Sequence, residues 1–385
     1  MKICFWGNVT GSLKGNTPGG GELQIALLAK ALAKIGHEVV VLDNEITEKY
    51  QTEDGIKVYP IEGYNNGIRM IRTFTHRLPK LYASLRDQNA DIYYCRIRDF
   101  RHILAYAAAR KVKAKFILGL ASDLDAMNFG MRFNHQYRAS ISSLWKFSSG
   151  ILIEIIYPFL LRKADIIFAQ HEGQKKILQE KNIKSIVFPN LIDLTQIPVV
   201  LNPIQDDFIY VGSLDRRKGF IEFFNLVNKA PSQRFKVVGQ PRDKTGHLYF
   251  EKLKSYENVT LLGRLNHSDT LLQIANSKAL ISTSYMEGFP NVFIEAWACG
   301  IPVYSLYVDL GTLITKEGLG EVANGDLDKL LKSIENNKCM GKFGKNAKAY
   351  VEHHHDLNAN KIEEIRGIFS NLLNNIKPLK NSGAH

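Results

Sequence analysis

Glu287 and Glu295 stand with seven residues between them in the run ALISTSYMEGFPNVFIEAWACGIPVYSL (279–306). A strand pattern precedes the first, a Gly-Phe-Pro turn follows it, and a helical pattern starting near Asn291 carries the second. This layout leaves Glu287 at a sheet edge and Glu295 about one turn into a helix, where both can face one ligand. One carboxylate can serve a reacting sugar or phosphate while the other accepts hydrogen bonds from ribose hydroxyls. The competing reading is two unrelated acids, one simply favourable near a helix N-terminus.

Three consecutive cations, Arg216, Arg217 and Lys218, lie in VGSLDRRKGF (211–220), between a strand end and a helix start. They suit a diphosphate, whose charge they would neutralise without a metal. As an ordinary basic helix start they would oppose the helix dipole unless an anion joined them. A third loop, GNVTGSLKGNTPGGGELQ (7–24), places Gly19, Gly20 and Gly21 just before a helix. Glycines there permit close backbone approach, and helix-start N–H groups favour anionic oxygens. The spacing fits neither GxGxxG nor GxxxxGK[ST], so the dinucleotide and Walker readings fail, and a merely flexible connection is the alternative. EHHHDL (352–357) puts three adjacent imidazoles in different directions on a helix, which is not a usual ligand set, so no metal is expected.

The elements that must position these loops follow from hydrophobic patterning. Short β-branched runs alternate with amphipathic stretches in both halves, the signature of βαβ units and parallel sheets. Strands are expected at 2–6, 37–42, 57–60, 91–95, 115–119, 165–169 and 185–188, with helices near 20–35, 66–88, 98–112, 135–163 and 172–182. The second half restarts with FIYVG (208–212), FKVVG (235–239), VTLLG (259–263), ALISTS (279–284) and PVYSL (302–306). Residues 190–207 hold two prolines and no helical period, and read as a linker. Two doubly wound sheets in series would face an interdomain cleft, with ligands at their C-terminal edges.

At 385 residues, 45% hydrophobic and 23% charged, the chain is globular and long enough for two cores. Cys4, Cys95, Cys299 and Cys339 are scattered, which fits reduced thiols in a cytoplasmic protein rather than a disulfide framework. The start MKICFWGNVTG reads as strand and loop, not as a signal peptide. GILIEIIYPFLL (150–161) is too short to span a membrane and contains Glu154 and Pro158, so a core helix is expected, with an interfacial helix as the second choice. Of the net charge of +12, most lies early: residues 1–200 carry 27 Lys+Arg against 18 Asp+Glu, and residues 201–385 carry 23 against 20. The basic stretch 68–86, with Arg69, Arg72, Arg77, Lys80 and Arg86, suggests an anionic membrane surface as partner, the bland alternative being a solvated basic face. No single-stranded-binding motif supports a nucleic-acid partner.

EGFPNVFIEAWACGIPV resembles the E-x7-E block of retaining glycosyltransferases of the GT-B fold, specifically glycosyltransferase family 4, which use sugar nucleotides. GGGE, ADIIFAQHEGQKKIL (164–178), FPNLID (188–193), YVGSLDRRKGF and VTLLGRL (259–265) fall in family order over nearly the whole chain. By this resemblance Glu287 lies against the donor sugar and its phosphates, and Glu295 holds the nucleotide ribose. The backbone of Gly288, Phe289, Pro290 and Asn291 meets sugar hydroxyls and diphosphate, and Lys218 binds phosphate. Gly19 and Gly20 approach the diphosphate and acceptor, and Arg264 falls where the backbone meets the base. The chain departs from the family at Ser213, where an arginine is usual; Arg216 or Arg217 would replace it. Where the family often has a sugar-contacting histidine, LASDLDAMN (120–128) offers Asp123 as the better candidate, beside Ser122 and Asp125.

The resemblance implies two Rossmann-like domains, 1–190 for the acceptor and 207–357 for the nucleotide sugar, joined by a linker at 191–206. A C-terminal helix and tail (358–385) would pack back on the first. It also implies a retaining, metal-independent transferase without cofactor, acting on a glycan or lipid-linked acceptor in cell-surface polysaccharide or glycolipid synthesis. A catalytically weak sugar-nucleotide-binding protein and a nucleotide-sugar epimerase or phosphorylase are the rival readings.

Overall fold

A computed structural model describes residues 1–15, 19–127, 144–200, 206–336 and 340–374. The chain packs as two units, Met1–Phe188 together with Leu357–His385, and Pro189–Asp356.

Among the described residues, the first unit is built on eight strands: β1 (Lys2–Trp6), β2 (Glu38–Asp43), β3 (Tyr50–Gln51), β4 (Lys57–Pro60), β5 (Ile92–Arg96), β6 (Lys115–Gly119), β7 (Ile166–Ala169) and β8 (Ser185–Val187). Their order is β3-β4-β2-β1-β5-β6-β7-β8, parallel except for β3 against β4. The near-continuous apolar character of ICFW, VVVL and IYYC matches strands covered on both faces, and Ile3, Phe5, Val40, Val41, Ile92 and Tyr93 are fully or almost fully buried. The sequence order reverses direction between β1 and β5, so the loops after these strands diverge around a switch point. The C-terminal helix Ala359–Asn374 belongs to this unit; Phe369 meets Phe168 edge-on at 6.0 Å between ring centroids.

The second unit carries six parallel strands among its described residues: β9 (Asp207–Val211), β10 (Arg234–Val238), β11 (Val259–Gly263), β12 (Leu280–Ser282), β13 (Val303–Ser305) and β14 (Gly320–Val322). The order β11-β10-β9-β12-β13-β14 puts its switch point between β9 and β12. Segment 189–200 belongs to this unit rather than hanging free: Leu191 and Ile192 are buried, and the Ile192 N–H donates to the His355 carbonyl at 2.9 Å.

Two expected helices differ in detail. Over 66–88 the chain makes turns, a π-helical turn Thr73–Arg77 and then a helix Leu78–Asp87. Pro79 sits in that helix's first turn, where its missing N–H is harmless, so it starts a helix rather than interrupting one. The helix Leu144–Lys163 contains 150–161, but it is not wholly core. Tyr157, Leu160 and Leu161 are buried, whereas Ile151, Leu152, Ile155 and Phe159 are exposed. Glu154 is buried and pairs with Arg98 at 3.4 Å. Residues 135–143 and Cys339 lie outside the described residues. No helix among the described residues is long and apolar enough to cross a membrane.

Candidate active site

In the second unit, the loop after β9 and the turn after β12 meet at the switch point. The Lys218 ammonium donates to Glu287 Oε1 at 2.5 Å, with both side chains mostly buried. Burial alone would raise the Glu287 carboxyl pKa, but the Lys218 charge and hydrogen bond, with smaller help from Arg217 and Ser284, hold it below the usual carboxylate value. Glu287 is therefore a carboxylate at neutral pH, locked to a cation.

The backbone holding Lys218 is tightly specified. Asp215 accepts from the Ser213 hydroxyl at 2.7 Å through one oxygen and from the Lys218 N–H at 2.9 Å through the other. Tyr210 donates its hydroxyl to the Lys218 carbonyl at 3.2 Å. Gly219 then turns left-handed at φ 65°, and a Cβ there would lie 1.9 Å from the Thr283 carbonyl oxygen. Only glycine fits. The Thr283 hydroxyl donates back to the Gly219 carbonyl at 2.8 Å, tying the two loops together.

The two neighbouring arginines, equivalent on paper, separate in space. Both are exposed, but the Arg217 charge acts on Glu287 whereas the Arg216 charge acts on Tyr285. The Arg216 backbone N–H donates to Asp243 at 3.0 Å.

Glu287 and Glu295 have different partners. Glu295, on the helix Asn291–Ala298, is buried and paired through Oε1 with His267 Nε2 at 2.9 Å. His267 is a residue the sequence reading missed: it lies 28 positions from Glu295 and begins the helix His267–Ala275. The hydrogen bond to Glu295 raises its pKa, against the effect of burial. Between the glutamates, the turn is anchored from outside. Asn190 Nδ2 donates to the Phe289 carbonyl at 2.8 Å and to Asn291 Oδ1 at 2.9 Å, and the Asn190 carbonyl lies 2.6 Å from His355 Nδ1. So His355 is a buried support of this turn, while His353 and His354 are exposed. Gly288 and Pro290 are buried in the turn, and Arg264 is exposed just after β11, following the left-handed Gly263. A small cavity lined by Tyr210, Lys218, Ser284, Glu287, Pro290 and Phe293 marks this edge of the sheet.

In the first unit, Gly19 is the extended residue before the helix Gly20–Lys34. The space their missing Cβ atoms leave is used by the protein itself. A Cβ on Gly21 would lie 2.5 Å from Ile97 Cγ1, and one on Gly19 would meet the Glu22 carboxylate. Gly20 is exposed. Ile97 adopts φ 69°, unusual for a β-branched residue, at the end of β5. Asp123 Oδ1 takes His171 Nε2 at 2.8 Å and Gln174 Nε2 at 2.9 Å, so its carboxylate is already engaged within the unit. Asp125 closes a capping box with Ser122 on the short helix Asp123–Ala126.

The family described as Glycosyltransferase Family 4 matches residues 18–196, and Glycosyl transferases group 1 matches residues 198–309. The chain belongs to glycosyltransferase family 4. Among its relatives, this family 4 chain is 28% identical over 176 residues to an uncharacterised glycosyltransferase of Methanocaldococcus jannaschii, spanning 40% of this chain and 42% of that protein. It is 23% identical over 342 residues to a phosphatidylinositol N-acetylglucosaminyltransferase component of Arabidopsis thaliana, spanning 82% and 70%. Sucrose-phosphate synthase of Thermosynechococcus elongatus superposes with a TM-score of 0.76 at 17% identity, covering 98% of this chain and all of that one. Anabaena HepE in complex with UDP and glucose gives 0.68 at 16% identity, covering 97% and 99%. The two α/β units are those of the GT-B fold.

Proposed function

We propose that this family 4 glycosyltransferase moves a sugar, with retention at the anomeric carbon and without a metal, from a nucleotide-sugar donor to a glycan or lipid-linked saccharide. The observation that carries this reading is the Lys218–Glu287 pair at the β9/β12 switch point, with Arg217 beside it. An arriving diphosphate competes with Glu287 for Lys218 and brings Arg217 its counter-ion, replacing the arginine the family usually has at Ser213. The released Glu287 carboxylate then accepts hydrogen bonds from the donor sugar. Glu295, held by His267, offers its second oxygen to the ribose. The backbone of Gly288 to Asn291 frames the sugar and Arg264 the base, with the acceptor on the first unit near Gly19, Gly20 and Asp123.

In the reaction the bond between anomeric carbon and diphosphate oxygen breaks, the acceptor oxygen bonds to that carbon, and the acceptor proton passes to the leaving phosphate. Lys218 and Arg217 stabilise the charge that develops on the diphosphate, the largest electrostatic demand of the step. Two similar structures support the donor class, since HepE was solved with UDP and glucose and a pneumococcal O-GlcNAc transferase with UDP and GlcNAc. The test is release of nucleoside diphosphate from a panel of nucleotide sugars. Release that requires a saccharide acceptor supports transfer. Thermal stabilisation by the donor with no release under any acceptor points instead to a sugar-nucleotide-binding protein.

An anionic lipid surface is the proposed site of work, in cell-surface polysaccharide or glycolipid synthesis. Ile68, Met70, Ile71 and Phe74 are exposed, Met70 at 85%, and Arg69, Arg72, Arg77 and Lys80 lie among and just after them. Apolar side chains enter the interface while each cation near it contributes about 1 kcal/mol, screened over roughly 8 Å at physiological salt. Sedimentation with anionic vesicles should show binding that high salt and neutral lipid abolish. Binding that ignores lipid charge would remove the membrane from this reading.

A further inference from the structure

Glu295 differs from Glu287 in what holds it, and the difference bears on how this chain reads a nucleotide. Its helix, Asn291–Ala298, is built into the core on both sides of the residue, with Phe293, Ile294, Ala296 and Trp297 all buried. The neighbouring helix, His267–Ala275, is equally fixed. Asn266 caps it, the side-chain oxygen accepting from the Asp269 N–H at 2.8 Å. Ile274, near its far end, belongs to the same apolar cluster as Phe293 and Ile294. Two docked helices therefore set the spacing of His267 and Glu295, whose side chains meet at 2.9 Å, Nε2 to Oε1.

A carboxylate only accepts, so Nε2 carries the proton at this contact in the neutral ring and in the charged one alike. Little water competes for it, because the two side chains are 22% and 11% exposed. The other oxygen, Oε2, has no hydrogen-bond partner among the described residues and is not sealed from solvent. Glu295 is thus half used. The 2′- and 3′-hydroxyls of a ribose are adjacent, and a free carboxylate can take both in a fork, one on each oxygen. Here an imidazole stands against Oε1. One remaining oxygen, fixed at one place, favours one of the two hydroxyls.

We propose that, granted the ribose role given to Glu295 above, His267 determines its selectivity: by occupying Oε1 it confines ribose recognition to a single hydroxyl. A nucleotide lacking the other hydroxyl then binds almost as well as its parent. His267 acts through Glu295, so it is a positioning residue and not a catalytic one. A purely structural tie between the two helices would change stability and leave the two hydroxyls equivalent.

The experiment is calorimetric titration of the full chain with UDP, ADP and GDP, then with the 2′-deoxy and 3′-deoxy forms of whichever binds most tightly. Native protein is compared with His267→Ala, which removes the imidazole, and with His267→Gln, whose amide can still donate to Oε1. His267→Ser takes the place of His267→Ala if that variant does not fold. In the native chain, loss of one hydroxyl should weaken binding about tenfold, as for one hydrogen bond to a charged group, and loss of the other less than about twofold. In His267→Ala the freed oxygen takes the second hydroxyl, and the two losses should agree within about a factor of two. His267→Gln should keep the native asymmetry. Equal, substantial losses in the native chain, an asymmetry that survives His267→Ala, or its disappearance in His267→Gln would overturn the role of His267 while leaving Glu295 on the ribose. Two negligible losses in the native chain would instead take the ribose away from Glu295. Absence of binding by all three nucleotides would end the nucleotide-sugar reading, and the role of His267 falls with either.

Discussion

The two switch points of this chain arise from the same topology and are finished in opposite ways. At β9/β12 a cation and a carboxylate are pressed together at 2.5 Å, on a backbone that tolerates only glycine at position 219. At β1/β5 the ion pair of Asp99 and Arg101 closes within one loop, two residues apart, and Arg101 lies over the Trp6 ring at 5.0 Å. A doubly wound sheet supplies the place for a ligand, while the few side chains on its loops decide whether an ion pair joins two loops or stays within one.

The comparison breaks most visibly at Lys218 and Glu287. Lys218→Ala should lower nucleoside diphosphate affinity 10–100-fold, the loss of a charged hydrogen bond worth about 1.5–3 kcal/mol. Glu287→Gln should reduce turnover far more than it reduces nucleotide affinity. Calorimetric titration beside initial rates separates the two effects, and equal losses in Glu287→Gln would assign that residue to binding alone.

Gly219→Ala tests the scaffold. The left-handed φ and the close Thr283 carbonyl should make it cost about 3 kcal/mol in urea unfolding. Gly20→Ala, at an exposed position that opens a helix, should cost little. A mild effect at 219 would mean that the loop can shift, and that Lys218 is less firmly placed than its contacts imply.

A smaller effect separates the two arginines. Arg217→Ala should weaken nucleotide affinity about tenfold at low salt, of the size expected for one charged hydrogen bond, and Arg216→Ala much less. Ser213→Arg should partly restore the Arg217→Ala variant. Failure of that rescue, with Arg216→Ala the more damaging change, would reverse the assignment.

The smallest expected effect is one of pH. The His267 pKa is raised above its ordinary 6.5 by Glu295, so the pair's stabilisation is complete below pH 6.5. It is lost as pH rises through the raised value. Comparing thermal unfolding of the native chain and His267→Gln from pH 5.5 to 8.5 should show a native advantage of about 0.5–1 kcal/mol on the acid side that fades with alkalinity. A constant difference would mean that His267 acts through packing.

Much of this was legible in the sequence because buried parallel strands write themselves as apolar runs. The strands at 2–6, 57–60, 115–119 and 259–263 occur as expected. β3 has two residues and β14 reads Gly-Glu-Val, so neither carries a pattern to find. Spacing along the chain located Glu287, Glu295 and the basic loop. It could not tell Arg216 from Arg217, since adjacent residues diverge only once the loop is folded. Contacts far apart in sequence were equally hidden: His267 with Glu295, His171 with Asp123, and the rings of Trp6 and His102. Asp123 is the instructive case. The family resemblance put it forward where a sugar-contacting histidine is usual, and in the fold its Oδ1 meets His171 and Gln174.

The stitching of Asn190 and Ile192 to His355 has a consequence for the gene as much as for the protein. Because the Ile192 N–H reaches the His355 carbonyl at 2.9 Å, the start and the end of the second unit are held together. Residues 189–356 thus have the form of an insertion, a cassette whose two ends lie side by side. Such a piece tolerates excision, exchange and circular permutation. Expressed alone, it should keep the Asn190 anchor on the Phe289 turn, and with it the Lys218–Glu287 pair, giving a portable half that can be joined to a foreign first unit.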